Sequence, residues 1–290
     1  MAASGIVNLT AQPNAQQLEA LAGVASLKVS QLEAITYGPP NPAIGLFRGI
    51  PLPSNVFDSR GDAQRRVCPD CLREAAYHRA IWDLAFISVC PVHRKVLVDT
   101  CRRCCLPLRW SGADLTRCGH ADDGNLTQSV ADDVSESDVR ATRAIHGLLR
   151  DERFAADAER VRALPPFRDL ADNYIVEFLF RLGLEVIGAR PKLFSTEQAG
   201  ELAWSAHLAL NRGLEAAERW PSGFFGVLNN MRRRSASTVA ASLRRYVWPI
   251  ERWLDKLPVG MGVVIREEVN TYKAAATEAA IIGQPGPCPE

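Results

Sequence analysis

Cysteine and histidine in a metal-ligand rhythm fill the stretch from Cys68 to His120, which holds seven of the chain's eight cysteines and three of its five histidines. The order is Cys68-x-x-Cys71, Cys90-x-x-His93, Cys101-x-x-Cys104 and Cys118-x-His120. Each half offers three thiolates and one imidazole, a donor set that Zn²⁺ takes in closed tetrahedral structural sites. The two-residue gaps let both donors of a tight turn reach one ion, and longer gaps of 18 and 13 residues bring the chain back with the second pair. The eighth donor is open between His120 and Cys105, which adjoins Cys104. Cys288, alone in a Pro-flanked tail, reads as a free thiol.

Other cysteine chemistries fit the pattern less well. A disulfide framework needs an oxidising compartment, and Met1 to Thr10 lacks the charged start and long apolar run of a secretory leader. A redox Cys-x-x-Cys does not recur with distal Cys-x-x-His partners. A zinc deaminase wants His-x-Glu ahead of Pro-Cys-x-x-Cys, and no His-x-Glu exists here. Catalytic zinc keeps one position open for water, whereas four donors are available to each ion. The expectation is therefore two structural Zn²⁺ ions, one held by Cys68, Cys71, Cys90 and His93 and one by Cys101, Cys104, Cys118 and His120. Metal binding would fold a segment with too small a core of its own. Tyr77, Ile81, Trp82, Leu84 and Phe86 are expected to pack beneath the first ion, with His78 as a packing residue.

The flanking elements read as helical. Asn14 can cap a helix carrying Leu18, Leu21 and Ala22 at helical spacing and ending at Gly23. Ser30-x-x-Glu33 has the form of a capping box before a second short helix. Together they have the outline of a helix-turn-helix. From Tyr37 to Val67, five prolines predict loop, anchored by Phe47 and Phe57. Ala121 to Asp138 is acidic and poor in bulky residues, so a solvated connector is expected. Helical patterns follow from a Ser137 cap, over Asp169–Ile187 to Gly188, from Ser195 to Leu210, after Pro221, from Ser237 to near Pro249, and over Val264–Ile281.

Charge is unevenly spread along a chain of 290 residues with net charge +1. Arg60 to Arg109 carries ten basic and five acidic residues, Asp114 to Asp138 seven acids against Arg117 alone, and Arg212 to Lys256 nine bases against four acids. Clustered guanidiniums can grip phosphates and adjacent aromatics can stack on bases. Arg232, Arg233, Arg234, Arg244 and Arg245, beside Tyr246 and Trp248, are thus the candidate nucleic-acid or partner contacts. Arg65, Arg66, Arg94, Lys95, Arg102 and Arg103 form a second basic run. Phosphate-loop and dinucleotide glycine motifs, a Gly-x-Ser-x-Gly elbow and a clustered carboxylate set are all missing, so no enzyme is expected. No apolar run is long enough to span a bilayer.

Cys68-Pro69-Asp70-Cys71-Leu72, Tyr77-His78-Arg79, Trp82, Val89-Cys90-Pro91-Val92-His93, Leu97, Cys101-x-x-Cys104 and Leu108 resemble the zinc-binding core of the TniQ/TnsD family. Trp220-Pro221-x-Gly223-Phe224 is similar to a patch in the carboxy-terminal half of those proteins. Cys118-Gly119-His120, in place of a second Cys-x-x-Cys, departs from the family pattern. The resemblance implies a bacterial, cytoplasmic transposition target-selection adaptor without strand chemistry. It would bind target DNA or a CRISPR RNA-guided effector and recruit an AAA+ ATPase regulator of the TnsC/TniC type. A homodimer would fit, and a zinc-containing sequence-specific transcriptional regulator is the alternative. The expected fold is mostly α: a helix-turn-helix-like segment and Pro-rich loop (1–66), a tandem zinc-binding region (67–120), an acidic linker (121–138) and a helical C-terminal domain (139–290).

Overall fold

A computed structural model describes residues 15–35, 44–53, 65–108, 114–120, 124–188, 199–234 and 239–282. The fold is mostly helical, with two Cys/His clusters near its amino-terminal end. Helices α1 (Ala15–Ala25) and α2 (Val29–Ile35) form a hairpin. Leu18, Ala22 and Leu32 make a small core of their own there, flanked by Leu21 and Val29. Ser26, at φ 55°, ends α1 two residues beyond Gly23. Ser30 lies inside α2 rather than capping it, and the Lys28 amide bonds Gln31 Oε1 instead. Asn14 lies outside the described residues.

The proline-rich stretch is not all loop. Strands β1 (Ile44–Phe47) and β2 (Ile50–Pro53) pair antiparallel, Phe47 opposite Ile50. Arg48 and Gly49 both take positive φ, 50° and 76°, as a tight two-residue hairpin requires. With only two strands, both are edges, and an edge tolerates the missing N–H of Pro51 and Pro53. Phe47, Ile50 and Leu52 are buried, and β2 packs on α6 (Asp172–Ile187). The turn is fastened as well: Arg48 Nη1 donates to Leu149 O at 3.2 Å and Arg150 Nη1 to Arg48 O at 2.9 Å. The expected anchor Phe47 is in place; Phe57 lies outside the described residues.

The knuckle region contains α3 (Pro69–Glu74) and the two-residue strands β3 (Val89–Cys90) and β4 (Lys95–Val96), which pair antiparallel. Residues 124–134 are not a solvated connector. Leu126 is fully buried, Ala131 and Val134 nearly so, and the Val96 amide donates to Asp132 O while that of Val134 donates to Arg94 O. Small apolar residues at intervals let the segment lie along β4 while its acids face outward. Helix α4 (Glu136–Leu148) then starts two residues earlier than its sequence suggests, because Ser135 rather than Ser137 accepts the Asp138 amide.

Beyond α4 come α5 (Ala155–Arg162), α6, α7 (Ala199–Glu218), α8 (Ser222–Arg234), α9 (Val239–Leu254) and α10 (Val263–Ile282). Ser195 is outside the described residues, and α7 continues eight residues past Leu210. Gly188, at φ 75°, closes α6 in the left-handed conformation expected of a C-terminal glycine. Helices α6 and α7 touch backbone to backbone: a Cβ on Gly183 would lie 1.7 Å from Ala209 O, and one on Gly213 would lie 2.0 Å from Leu179 O. Pro249 does not stop α9, which runs on to Leu254. Pro249 is exposed, so water can meet the carbonyl whose amide partner it removes.

One continuous apolar cluster joins Phe47, Leu52, the metal-cluster cysteines, Trp82 and Phe86 to helices α4 to α10, as far as Ala276. Phe86 meets Phe180 at 5.6 Å between ring centroids. Ser88 and His207, both buried, share a hydrogen bond of 3.1 Å that ties the knuckles to α7.

Candidate metal centres

The first cluster is built by α3 and the β3–β4 turn. Pro69 occupies the first turn of α3, where its missing amide hydrogen costs nothing. Cys68 and Cys71, three apart, then share one face of the helix start. Cys90 ends β3, and His93 sits in the turn closed by Arg94 at φ 53°. The four donors lie within 4.8 Å of one another, the three cysteines buried and His93 half-buried. His93 Nδ1 is 3.5 Å from Cys68 Sγ, 3.3 Å from Cys71 Sγ and 3.7 Å from Cys90 Sγ, and Cys71 Sγ is 3.6 Å from Cys90 Sγ. Tetrahedral bonds of about 2.3 Å to sulfur and about 2.0 Å to nitrogen would put sulfurs about 3.8 Å apart and sulfur from nitrogen about 3.5 Å. The donors are therefore already spaced to hold one small ion.

His93 is held in the tautomer that such a site needs. Its Nε2 lies 2.8 Å from Glu74 Oε1, so that nitrogen carries the proton and Nδ1 turns a lone pair toward the sulfurs. The thiols constrain one another too. Hydrogen bonds from Cys68 and Cys71 pull Cys90 down to about 3. Hydrogen bonds with Cys68 and then Cys90, followed by burial, push Cys71 far above the usual thiol range. Without a cation the cluster supports one thiolate readily and resists more. A divalent ion at its centre is what would let three coexist.

Trp82 and Ile81 pack under this cluster as expected, both buried. Tyr77 does not: it is 54% exposed, with the Arg79 guanidinium 4.6 Å from its ring centroid. The turn ahead of Ala80–Asp83 places it outside, a reversal that apolar content alone does not reveal. His78 bonds Asp83 at 2.9 Å and meets the Trp82 ring edge-on, which is a packing role.

The second cluster joins Cys101, Cys104 and Cys118, mutually within 4.8 Å. Two short hairpin arms deliver them, one closed by the Thr100–Pro107 bridge and the other by the Arg117–Asn125 bridge. Gly124 is needed between them: its amide donates to Cys118 Sγ at 3.2 Å, and a Cβ there would lie 2.7 Å from Cys101 Sγ. His120 reaches the cluster at one edge, Nδ1 lying 3.6 Å from Cys104 Sγ. Cys105 is exposed, at φ 56°, with its sulfur 3.9 Å from Arg102 O. Of the two contenders for the fourth position His120 comes nearer, but it approaches Cys104 alone and stands outside the group of three donors that lie mutually within 4.8 Å.

The basic residues divide by what they touch. Arg65 and Arg66 are buried and spend their guanidiniums on backbone carbonyls, Arg65 on Leu115 and Arg117, Arg66 on Leu84 and Ala85. Arg94, Lys95 and Arg102 face Glu136, Asp133 and Asp132 at 3.6, 2.7 and 3.5 Å. Asp132, Asp133 and Glu136 thus lie against three of the knuckle cations, which gives the alternating charge blocks a structural counterpart. Arg234 donates to Glu185 O at 2.6 Å and Val186 O at 3.1 Å, capping the end of α6. Arg233 is exposed and Arg232 half-buried. Arg244 and Arg245 lie on α9, but their side chains are outside the described residues. Sequence reasoning missed Glu74 and Gly124, since neither belongs to the ligand spacing.

Among the described residues no helix is long and apolar enough to cross a membrane. No curated protein matches the chain. Residues 3–97 match the family model described as TniQ, a span that contains the first metal cluster and ends before the second.

Proposed function

From the match of residues 3–97 to the TniQ family model we propose that the chain acts in transposition as a non-catalytic target-selection adaptor of that family. It would engage target DNA or an RNA-guided effector and recruit an AAA+ ATPase, which brings the transposase to the chosen site. The observation that carries this reading is the family match together with the four-donor cluster inside it. We take both ions to be Zn²⁺. Three thiolates and an imidazole suit that metal, and at the first cluster a full set of protein donors leaves no position for a substrate. Cys68, Cys71, Cys90 and His93 would hold one ion and Cys101, Cys104, Cys118 and His120 the other, each acting as scaffold.

The remaining acid–base groups support an adaptor. His146 pairs with Asp151 at 3.1 Å and His207 with Ser88, all four buried where they serve packing and not chemistry. Of the arginines expected at a partner surface, Arg233 is exposed, whereas Arg234 is occupied by α6. Co-purification tests the proposal. The metal-loaded chain is expected to retain its AAA+ ATPase when ATP and target DNA are present. A chain that binds a DNA operator tightly and retains no ATPase would overturn the adaptor in favour of a transcriptional regulator.

A further inference from the structure

The carboxy-terminal half of α9 presents a cationic aromatic face that the metal scaffold does not explain. Val247, Trp253 and Leu254 are buried and bind the helix to the core. On the opposite side Trp248 is 50% exposed, and the Arg252 guanidinium lies 5.0 Å from its ring centroid. Four residues is about one helical turn, roughly 6 Å along the axis, and Lys256, also exposed, follows in the turn just beyond the helix end at Leu254, its amide bonded to Trp253 O at 3.0 Å. The acids of this segment are drawn away from that face by α10: Lys273 holds Glu251 at 2.8 Å and Arg266 holds Asp255 at 3.1 Å. Neither Arg252 nor Lys256 has an ion-pair partner among the described residues. Arg94, Lys95 and Arg102 of the knuckles, by contrast, are paired with Glu136, Asp133 and Asp132.

We propose that Trp248, Arg252 and Lys256 form a binding face for single-stranded nucleic acid. An unpaired base stacks on the indole face that Arg252 leaves free, while the two cations meet the neighbouring phosphates. Duplex bases offer only their edges, so an indole that is half exposed on a convex helix is useful only to a base out of its stack. Carboxylates alone would satisfy the cations and leave the ring without a partner, whereas one strand supplies both a stacking face and phosphates. The adaptor reading is needed here only in so far as the chain must meet nucleic acid; Arg252 and Lys256 are additional to the arginines named for it, and Trp248 gains a defined role beside them.

Fluorescence anisotropy of the metal-loaded full chain with labelled 20-nucleotide dT and U single strands, and with a mixed-sequence duplex, tests this face. Trp248→Ala is expected to weaken single-strand binding about tenfold or more, with duplex binding changed less than about twofold. Trp248→Phe should recover most of the affinity. Arg252→Gln and Lys256→Gln should each flatten the dependence of log affinity on log salt, by about 0.7 for each phosphate that the variant no longer neutralises. Comparing the dT and U strands shows whether DNA or RNA is the better ligand, and preferential binding of either supports the proposal. Single-strand affinity indifferent to Trp248→Ala in a folded variant would overturn it. So would a defect confined to the capture of an acidic protein. If Trp248-dependent strand binding persists while no ATPase is retained, the adaptor reading fails and this one stands.

Discussion

Glu74 shows how much a single carboxylate outside the donor set can decide. By accepting a hydrogen bond from His93 Nε2 it fixes which nitrogen faces the three sulfurs, and removing such a partner typically costs about 10- to 100-fold in metal affinity. Glu74→Gln, titrated against a competing chelator, should bind metal at the first cluster more weakly within that range; an unchanged affinity would mean that the imidazole is oriented by the turn alone. Glu74 stands three residues after Cys71 with nothing in its type to mark it. Gly124 was equally silent, and its reason is a sulfur from a cysteine 23 positions earlier. The ligand spacing was legible because it is local. The burial of Arg65 and Arg66 was not, since the carbonyls they satisfy come from elsewhere in the chain.

Helix-to-helix contact sets the next level. Gly183 lies under Ala209 and Gly213 under Leu179, so α6 and α7 approach more closely than any side chain permits. Gly183→Ala drives a methyl group into a backbone carbonyl. Overpacking of this kind costs about 1–3 kcal/mol, and in a chain of this size 1 kcal/mol moves Tm by about 2–4 °C. The expected fall of several degrees in a thermal melt contrasts with a small rise for Gly226→Ala, where no atom lies within 4 Å of the new Cβ and alanine favours the interior of α8. A further expectation concerns acid. Burial lowers the pKa of His146 below its ordinary value even though Asp151 opposes this. Burial also pushes the Asp151 carboxyl up, but hydrogen bonds from His146 and Arg153, with their charges, outweigh it and hold it well below the carboxylate range. Each group is protonated more readily in the unfolded chain. The stability from His146 is therefore full above about pH 6.5 and declines as pH drops below it, and that from Asp151 declines below about pH 4. The urea midpoint should fall between about pH 7.5 and about pH 5.5 by more in the wild type than in His146→Gln; equal falls would assign the acid sensitivity to other groups. At this scale helical periodicity announced α6 and α10, and a glycine the end of α6, whereas the β1–β2 hairpin was hidden by prolines that an edge strand accepts.

Over the whole molecule, the metal clusters and the helices share one core. Cys68, Cys71, Cys90, Cys101 and Cys118 belong to the same apolar cluster as Leu148, Phe180 and Ile265. The hairpin turn at Arg48 and the Ser88–His207 bond add polar ties from the amino-terminal region to the helices. The matched family segment ends at residue 97, yet its buried face is completed by α4, α6 and α7. Sequence composition separated these regions because charge and proline content change along the chain; burial unites them because apolar faces far apart in sequence meet. Metal content tests the central claim most directly. Native mass spectrometry of the purified, folded chain should give the polypeptide mass plus two zinc ions, and Cys71→Ala should give unfolded or aggregated material. A folded chain carrying no metal, or a folded Cys71→Ala variant that still captures the ATPase, would contradict the account.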